Sequence, residues 1–427
     1  MSKLNVVEAF SGIGSQAKAL KKANIPYDIV ATIEWEIGAI YAYDIIHNGP
    51  QKESDLVEFY QLNKRSLIEK LAKYNLSSDG KKPISYRGLQ YMNEDQLRAI
   101  LCSIKRTKNK VDIMNVHPSD LPEQVDLFTY SFPCQDLSIS GFWHGNISGI
   151  DRHANNRSSL LWQVERILKE YVEDDRILPK FLLMENVTAI DSPMHRDNFL
   201  IWQNFLKGLN YENYIFTLDA RNFGIPQRRI RTYMLSVQCG SVENKEKIES
   251  YISKVALNKK SRIETPNLNR ILKLDYTNRK YFAEAVASIP NKTPSRDKIL
   301  ANGHILAKGS IVEPVVAKTV TTKQDRNPNA GLIVHEIKNL IGNKAPYRNL
   351  TPRETFLLMG FEEKDFDLLL DNNIKLANRL FLSKSKLLKL AGNSIVVDVL
   401  VDIFKMVEHI NDVFLFDKSV DKLKSIG

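Results

Sequence analysis

Reactive polar residues follow two short apolar runs, and this arrangement constrains the fold more than any other feature of the chain. The run Val125 to Tyr130 leads into Ser131 to Gln135, and the run Phe181 to Met184 leads into Glu185 to Val187. Short apolar runs bounded by polar residues are typical of buried strands. In a parallel α/β sheet, residues just beyond the carboxyl ends of the strands line the ligand crevice. We therefore expect an α/β fold with a doubly wound, mostly parallel sheet and a site at that edge.

Cys134 lies at the first of these strand ends, where a thiol can act as a nucleophile. The preceding Pro133 would stiffen the turn that presents it. An isolated cysteine is more often a small, buried apolar residue. The context favours catalysis, because the carboxylate of Glu185 and the arginines within Gln227 to Arg231 also adjoin apolar runs. A thiol, a carboxylate and guanidinium groups placed in this way predict covalent catalysis.

The N-terminal segment predicts a strand, a tight turn and a helix. Asn5 to Phe10 is strand-like, two glycines follow, and Ser15 to Asn24 is helix-like. The glycines would let the backbone approach a ligand that faces the helix N-terminus, although a plain structural turn has the same pattern. Glu34 lies about 20 residues beyond the turn, where a carboxylate can accept hydrogen bonds from ribose hydroxyls. The neighbouring Trp35 fits either stacking on an adenine ring or a place in the core.

The order of these motifs resembles that of the C5-cytosine DNA methyltransferases of bacterial restriction-modification systems. The resemblance covers most of the chain apart from two variable segments. The motifs that carry it are, in chain order, Phe10-Ser11-Gly12-Ile13-Gly14, Glu34-Trp35, Asp112-Ile113, Pro133-Cys134-Gln135, Glu185-Asn186-Val187, Gln227-Arg228-Arg229, Arg348-x-Leu350-Thr351-Pro352-Arg353-Glu354 and Gly392-Asn393-Ser394.

The resemblance implies a DNA (cytosine-5-)-methyltransferase with the class I S-adenosylmethionine-dependent fold and a second, smaller DNA-recognition domain. Such an enzyme would take a cytosine flipped out of a specific duplex sequence and release S-adenosylhomocysteine as product. The thiolate of Cys134 would add to C6 of the base, and C5 would then take the methyl group. Glu185, Arg229 and Arg231 complete the catalytic residues that the resemblance implies.

The resemblance also assigns residues to the cofactor and to DNA. The residues expected to bind S-adenosylmethionine are Phe10, Gly12, Ile13, Gly14, Glu34, Trp35, Asp112, Ile113, Pro133, Leu160, Asn393 and Ile395. Those expected to contact double-stranded DNA are Ser138, Ser140, Gln227, Arg228 and Thr319. The glycine-containing segment from 138 to 157 is expected to be a lid over the extruded base, or else a plain surface loop.

The same reasoning divides the chain into three parts. Residues 1–239 would form the catalytic domain, with a polar helical insertion at about 48–110 whose function stays open. Residues 240–345 carry 19 basic and 10 acidic side chains, which gives this segment a net charge of +9, whereas the whole chain has a net charge of +10. Because the basic excess is concentrated there, we expect this segment to be the target-recognition domain. A merely lysine-rich surface is the alternative. Residues 346–427 would complete the catalytic domain, with a helix that Thr351 caps.

Other features limit the setting in which the protein works. We expect a bacterial cytoplasmic protein, because no signal peptide precedes the first strand-like segment and no apolar run reaches the ~18 residues of a membrane span. The three cysteines lack the spacing of metal ligands, so no metal site is predicted. We expect a monomer on DNA that shares its target site with a cognate restriction endonuclease. A cytosine methyltransferase acting on transfer RNA and a catalytically silent DNA-binding regulator are the competing functions.

Overall fold

The computed structural model describes residues 3–133, 150, 157–259, 267–338 and 340–415. Its strands are β1 (Leu4–Ala9), β2 (Tyr27–Ile33), β3 (Leu127–Tyr130), β4 (Phe181–Val187), β5 (Tyr211–Asp219), β6 (Ile230–Gln238), β7 (Ile305–Lys308), β8 (Ile311–Val312), β9 (Leu332–Val334) and β10 (Tyr347–Asn349). Its α-helices are α1 (Ser15–Ala23), α2 (Ile37–Asn48), α3 (Glu53–Tyr60), α4 (Lys64–Leu71), α5 (Tyr86–Gln90), α6 (Glu94–Arg106), α7 (Leu161–Glu173), α8 (Arg196–Gly208), α9 (Val242–Val255), α10 (Arg279–Ala287), α11 (Pro294–Ala301), α12 (Pro352–Leu357), α13 (Glu363–Asp371), α14 (Lys384–Asn393) and α15 (Val397–Ile410).

A six-stranded sheet forms the centre of the larger part of the molecule, with the strand order β2-β1-β3-β4-β6-β5. The strands β2, β1, β3 and β4 are parallel, and their residues are mostly apolar because helices cover both faces of the sheet. The four residues of β3 are all buried. The prediction of a mostly parallel α/β sheet is confirmed, and the carboxyl ends of its central strands lie at one edge.

The strand β6 runs antiparallel to both of its neighbours, β4 and β5. Its first residues therefore lie at the same edge as the carboxyl ends of the parallel strands. Arg231 pairs with Val187, and Tyr233 pairs with Glu185. This direction explains why the arginines come before an apolar run in the sequence, whereas Cys134 and Glu185 come at the end of one.

Both ends of the chain build the larger domain, as the resemblance implies. The C-terminal helix α15 packs against α1. The hydroxyl oxygens of Ser15 and Ser394 lie 2.7 Å apart, and the ammonium group of Lys18, on α1, donates to Asp365, on α13. The N-terminal helix thus has polar as well as apolar contacts with residues more than 300 positions away.

A second, four-stranded sheet has the order β10-β9-β7-β8. It is joined to the first through a backbone bridge between Gln227 and Ala317. The helix α9, inside the basic segment, packs on the larger domain: the Tyr251 ring stacks on His409 at 4.2 Å, and Lys245 pairs with Glu212 at 2.7 Å. The domain limits at 240 and 345 stay predictions. The contacts of α9 with the larger domain cross the first limit, and the pairing of β10 with β9 crosses the second.

The insertion contains the helices α3 to α6 and lies beside β2, at the edge of the main sheet. Residues 107 to 110 return the chain to that edge, where the Lys110 N–H donates to the Thr32 carbonyl oxygen at 2.8 Å. The limits of the insertion at about 48 and 110 stay predictions, and the helices α3 to α6 lie between them. Within the described ranges no helix is long and apolar enough to cross a membrane, and no cluster of three or more potential metal ligands occurs.

A fully buried ion pair fixes the start of α12. The Arg348 guanidinium donates to both carboxylate oxygens of Glu354, at 2.8 Å each, and neither side chain is exposed. Glu354 also accepts from the Thr351 N–H at 2.8 Å, while the Thr351 hydroxyl accepts from the Glu354 N–H at 3.2 Å. The capping box predicted from the sequence is thus present. Arg353 is likewise buried, and it pairs with Glu284 and Asp367.

Replacing Arg348 by alanine should strongly destabilise the protein, because Glu354 would keep a buried charge without its partner. We expect a loss of about 3 to 5 kcal/mol in the free energy of unfolding, measured by urea denaturation. The matched control is Arg65→Ala, which breaks an exposed pair with Glu69 and should leave the unfolding midpoint unchanged. Equal midpoints for the two variants would show that the buried pair does not hold this region together.

Candidate active site

The glycine turn after β1 is confirmed in its backbone geometry. Gly12 and Gly14 have φ angles of +55° and +78°, in the left-handed region that favours glycine. A Cβ atom on Gly14 would lie 2.2 Å from Nε2 of His47. That ring nitrogen is 3.0 Å from the Ile13 carbonyl oxygen, so His47 packs directly beneath the turn. Ile13 is buried, and Phe10 is half-buried.

The Glu34 carboxylate reaches this turn from the end of β2. It accepts from the Gly12 N–H at 3.0 Å and from the Glu36 N–H at 2.8 Å. Burial raises the pKa of the Glu34 carboxyl group to about 7, with the backbone hydrogen bonds opposing the shift. The half-buried Trp35 follows directly. A carboxylate therefore lies against the glycine turn, and a half-buried aromatic residue follows it in the chain.

Asp112 lies near the same end of the molecule. Its carboxylate accepts from the Met114 N–H at 3.0 Å and from the side-chain amide of Asn75 at 2.7 Å. The next residue, Ile113, is buried, with 4% of its surface exposed. Asn109, three residues earlier, accepts from the Glu34 N–H at 3.0 Å and donates to the Glu34 carbonyl oxygen at 2.9 Å. These contacts hold the two acidic residues in one region.

The remaining residues assigned to the cofactor come from three other parts of the chain. Leu160 is half-buried and lies directly before α7, and Asn393 is exposed at the end of α14. Ile395 is 5% exposed and lines a small cavity together with Tyr130, Ser131 and Glu185. Pro133 follows β3 by three residues. The carbonyl oxygen of Phe132, directly before it, accepts from the side-chain amide of Asn186 at 3.1 Å.

Glu185 lies at the end of β4 and faces an arginine on β6. The distance between Nε of Arg231 and Oε1 of Glu185 is 3.3 Å, and both side chains are largely buried. Burial raises the pKa of the Glu185 carboxyl group above its usual value, while the charges of Arg231 and Arg229 oppose the shift. A carboxyl group in this environment can hold a proton at higher pH than an exposed one, so it is suited to donate a hydrogen bond to a ring nitrogen.

Arg229 makes its contacts inside the protein. Its guanidinium donates to the carbonyl oxygens of Val320 at 3.0 Å, Gly392 at 3.2 Å and Ser394 at 2.8 Å. The side chain is 5% exposed. A Cβ atom on Gly392 would lie 2.5 Å from the backbone of Thr321, so the two segments touch through their main chains. Arg229 therefore links the start of β6 to the connection between β8 and β9 of the second sheet and to the C-terminal helices.

The neighbouring Gln227 has no exposed surface. Its amide nitrogen donates to the Leu358 carbonyl oxygen at 2.8 Å, and its amide oxygen accepts from the Val320 N–H at 2.9 Å. A side chain placed in this way offers no group to DNA. Arg228 between them is exposed, and the Thr319 hydroxyl donates to its carbonyl oxygen at 2.8 Å.

Cys134, Ser138 and Ser140, together with most of the predicted lid, lie outside the described residues. The two other cysteines are both buried. Burial raises the pKa of the Cys102 thiol to about 12, and it also raises the pKa of Cys239. Neither has the low thiol pKa of a reactive cysteine.

Sequence reasoning missed three residues that shape the site: Asn75, Asn109 and Glu8. The two asparagines lie in or next to the polar insertion, and no pattern singles them out. Glu8 does have a signal, since it is a charged residue within an otherwise apolar strand. It is fully buried beneath α1, and burial raises the pKa of its carboxyl group to about 7.

Known proteins resemble this chain over most of its length. The family model for C-5 cytosine-specific DNA methylases matches residues 90–409. An orphan methyltransferase named M.SssI, from Spiroplasma monobiae, is 33% identical over 93% of this chain and 95% of its own. A type II methyltransferase named M2.ScrFI, from Lactococcus lactis subsp. cremoris, is 31% identical over 94% of this chain and 98% of its own.

Solved structures share the fold at low sequence identity. The Dnmt2 methyltransferase of S. pombe matches with a TM-score of 0.56 and 18% identity, over 95% of this chain and 98% of its own. The methyltransferase EhMeth of Entamoeba histolytica matches with a TM-score of 0.51 and 16% identity, over 95% and 98% of the two chains. At these identities the likeness concerns the fold alone.

The raised pKa of Glu34 makes stability depend on pH in the unliganded protein. A glutamate ionises near pH 4.5 when unfolded, whereas Glu34 ionises at about 7 in the folded protein. The folded state therefore holds the proton more tightly, and this contribution is lost as the pH rises from 4.5 through 7. Glu34→Gln cannot ionise, so its unfolding free energy relative to the wild type should rise over that window by about 1 to 3 kcal/mol.

Urea denaturation of both proteins at several pH values measures this difference. Ionisable groups elsewhere contribute equally to the two proteins and cancel in the comparison. A difference that stays constant between pH 4.5 and 7 would show that Glu34 has an ordinary pKa.

Proposed function

We infer that this chain, which belongs to the C-5 cytosine-specific DNA methylases, transfers the methyl group of S-adenosylmethionine to C5 of a cytosine in double-stranded DNA. It is a DNA cytosine-5 methyltransferase by family, and methyltransferases generally use this cofactor. The observation that carries the finer proposal is the Glu185–Arg231 pair at the strand end next to β3, since β3 leads within four residues to Cys134.

The residues around the glycine turn fit the proposed cofactor. The backbone of the glycine turn can be approached closely, Trp35 offers a flat ring for stacking, and the Glu34 carboxylate can accept from ribose hydroxyls. Asp112 supplies a second carboxylate acceptor. When bound, S-adenosylmethionine supplies an electrophilic methyl group. Within the domain these residues would hold the cofactor between the turn and the strand ends.

Glu185 and Arg231 are proposed to bind the Watson–Crick edge of the target cytosine. The raised pKa of the buried Glu185 favours a carboxyl group that can donate to N3 of the ring while accepting from the exocyclic amine. Arg231 would orient that carboxyl group through the 3.3 Å contact. Protonation or hydrogen bonding at N3 withdraws electrons from C6, which makes that carbon easier to attack.

Cys134 is proposed as the nucleophile. Its thiolate forms a bond to C6, and the electrons of the C5–C6 double bond make C5 nucleophilic. C5 then accepts the methyl group, so that it carries both the new substituent and its original proton. A base takes that proton, the double bond re-forms, and the thiolate leaves C6. The balance is one methyl group transferred and one proton released, with Cys134 regenerated.

Arg229 and Gln227 are reassigned within this proposal. Their side chains are buried and contact backbone groups of Val320, Leu358 and the segment 392–394. We give them positioning roles, holding β6 and the second sheet in place, rather than contacts with the base or with DNA. The exposed Arg228 and the hydroxyl-bearing Thr319 beside it remain the proposed DNA contacts from this region.

The duplex substrate requires access to a base stacked inside the helix. We propose that the enzyme acts as a monomer that extrudes the cytosine from the duplex. Relatives named type II methyltransferases support a role in protecting DNA from an endonuclease with the same target site. This substrate sets the proposal apart from the transfer RNA and silent-regulator alternatives.

The proposal predicts methyl transfer to duplex DNA, and a covalent complex through Cys134. Sequencing of methylated cytosines in DNA exposed to the enzyme would first identify the target. A duplex with 5-fluorocytosine at that position should then become attached to Cys134 in the presence of S-adenosylmethionine, because fluorine cannot leave as a proton does. Peptide mass spectrometry locates the adduct.

Three controls complete this experiment. Cys134→Ser should form no adduct, and Cys102→Ala should form as much as the wild type. Transfer RNA of the same total nucleotide concentration should accept no methyl groups. An adduct on Cys239, or transfer to RNA in preference to duplex DNA, would refute the assigned nucleophile or substrate respectively.

The contrast between Arg228 and Gln227 gives a separate prediction. Arg228→Ala should weaken DNA binding at low salt and reduce the slope of log affinity against log salt by about 1, as expected for the loss of one phosphate contact. Gln227→Ala should instead destabilise the fold by about 1 to 3 kcal/mol, since the Val320 N–H would lose its buried acceptor. Its salt slope should equal that of the wild type. Fluorescence anisotropy over a salt series measures both, and an unchanged slope for Arg228→Ala would remove it from the DNA surface.

A further inference from the structure

A short segment of the insertion lies against the proposed cofactor residues. This segment, residues 75–84, connects α4 to α5, and we refer to it as the strap. It has a defined conformation of its own: the Ser77 hydroxyl donates to the Lys82 carbonyl oxygen at 2.7 Å and accepts from the Gly80 N–H at 2.9 Å. Ser77 is fully buried, although the strap connects two helices at the surface of the domain.

The first contact of the strap is with the backbone around Trp35. The Ser77 N–H donates to the Trp35 carbonyl oxygen at 2.7 Å, and the Ile37 N–H donates to the Ser77 carbonyl oxygen at 2.9 Å. Ser77 and Glu36 thereby form a parallel bridge beyond the end of β2. The strap thus fixes the main chain on both sides of Trp35, directly after Glu34.

The second contact is with Asp112. The side-chain amide of Asn75 donates to Oδ2 of Asp112 at 2.7 Å. The other carboxylate oxygen accepts from the Met114 N–H. Oδ2 of Asp112 also accepts from the side-chain amide of Asn115 at 3.2 Å, so Asn75 makes the shorter of the two contacts. Because Asn75 is only two residues from Ser77, the same short segment contacts both the backbone of Trp35 and the carboxylate of Asp112. Asn75 thereby limits rotation of the carboxylate while leaving it acceptor positions for a ligand.

The third contact joins the strap to α14. The Lys389 ammonium group donates to the Asp79 carbonyl oxygen at 2.5 Å and lies 3.7 Å from the carboxylate of Glu36. The same helix ends at Asn393, another residue expected to bind the cofactor. Three separate parts of the proposed cofactor pocket therefore meet at the strap.

We propose that the strap is part of the cofactor site, and that Asn75 is a positioning residue that holds the Asp112 carboxylate for the exocyclic amine of the adenine ring. This inference rests on the proposed function. Trp35 is the aromatic residue proposed to stack on the ring. The strap that contacts the Trp35 backbone also contacts the Asp112 carboxylate, so the proposal gives this carboxylate the edge of the same ring. The exocyclic amine is the hydrogen-bond donor on that edge, and a carboxylate accepts from it. The insertion, for which the sequence alone indicates no function, then helps the enzyme to prefer adenine over a base without the exocyclic amine.

The test compares two product analogues by calorimetry. S-adenosylhomocysteine has the exocyclic amine, whereas S-inosylhomocysteine has a carbonyl oxygen in its place. The wild type should prefer the first, and Asn75→Ala should reduce that preference about 3- to 10-fold, because a less well oriented Asp112 carboxylate keeps only part of its hydrogen bond to the amine. In methyl-transfer assays the same variant should raise KM for S-adenosylmethionine and leave kcat unchanged. Lys73→Ala, an exposed change just before the strap, is the matched control and should behave as the wild type.

The outcomes separate the strap from the rest of the site. Equal weakening of both analogues by Asn75→Ala would show a merely structural strap and would overturn the inference, as would no weakening of either. Thermal unfolding of the variant checks that the domain is folded. Glu34→Ala tests the proposed function independently: it should weaken both analogues alike. If Glu34→Ala leaves the affinity for both analogues unchanged, the cofactor pocket itself has been misplaced. If Glu34→Ala weakens both analogues as expected but Asn75→Ala does not change the preference between them, only the role given to the strap is wrong.

Discussion

The buried guanidinium of Arg229 is the interaction on which the arrangement of the site depends. It lies directly before β6 and donates to backbone oxygens of Val320, Gly392 and Ser394. Arg231 lies two residues further along, on β6, so the contacts that fix Arg229 also fix the partner of Glu185. The main sheet, the connection between β8 and β9 and the C-terminal helices are thus joined at one point near Glu185 and Arg231.

Burial sets the electrostatic character of the sheet edge. Desolvation raises the pKa of Glu34 and of Glu185, and it does so for Glu8 on β1. Each carboxyl group has polar neighbours, but in no case do these reverse the effect of burial. In the proposed function, a ligand that supplies hydrogen-bond donors to Glu34 and Glu185 would replace the water that folding removed from them.

The insertion shows how a polar segment can belong to a site without containing a recognisable motif. Its helix α6 packs on α2, and residues 107 to 110 at its end pair with the edge strand β2, which would otherwise present unpaired backbone groups to solvent. The strap then extends beyond β2 as a further bridge and reaches Asp112 and α14. One insertion therefore covers the sheet edge and also contacts three parts of the proposed cofactor pocket that are far apart in the sequence.

The sequence by itself determined the strand ends, the glycine turn, the Thr351 capping box and the order of motifs that identifies the family. These depend on neighbours within a few positions, so local pattern and composition are sufficient to find them. Only the tertiary structure decided that β6 runs antiparallel, that Gln227 is buried while Arg228 is exposed, that α9 packs on the catalytic domain, and that Asn75 reaches Asp112. Each of these depends on which distant segment a residue contacts, and apolar periodicity reports how deeply a residue is buried without identifying its partner.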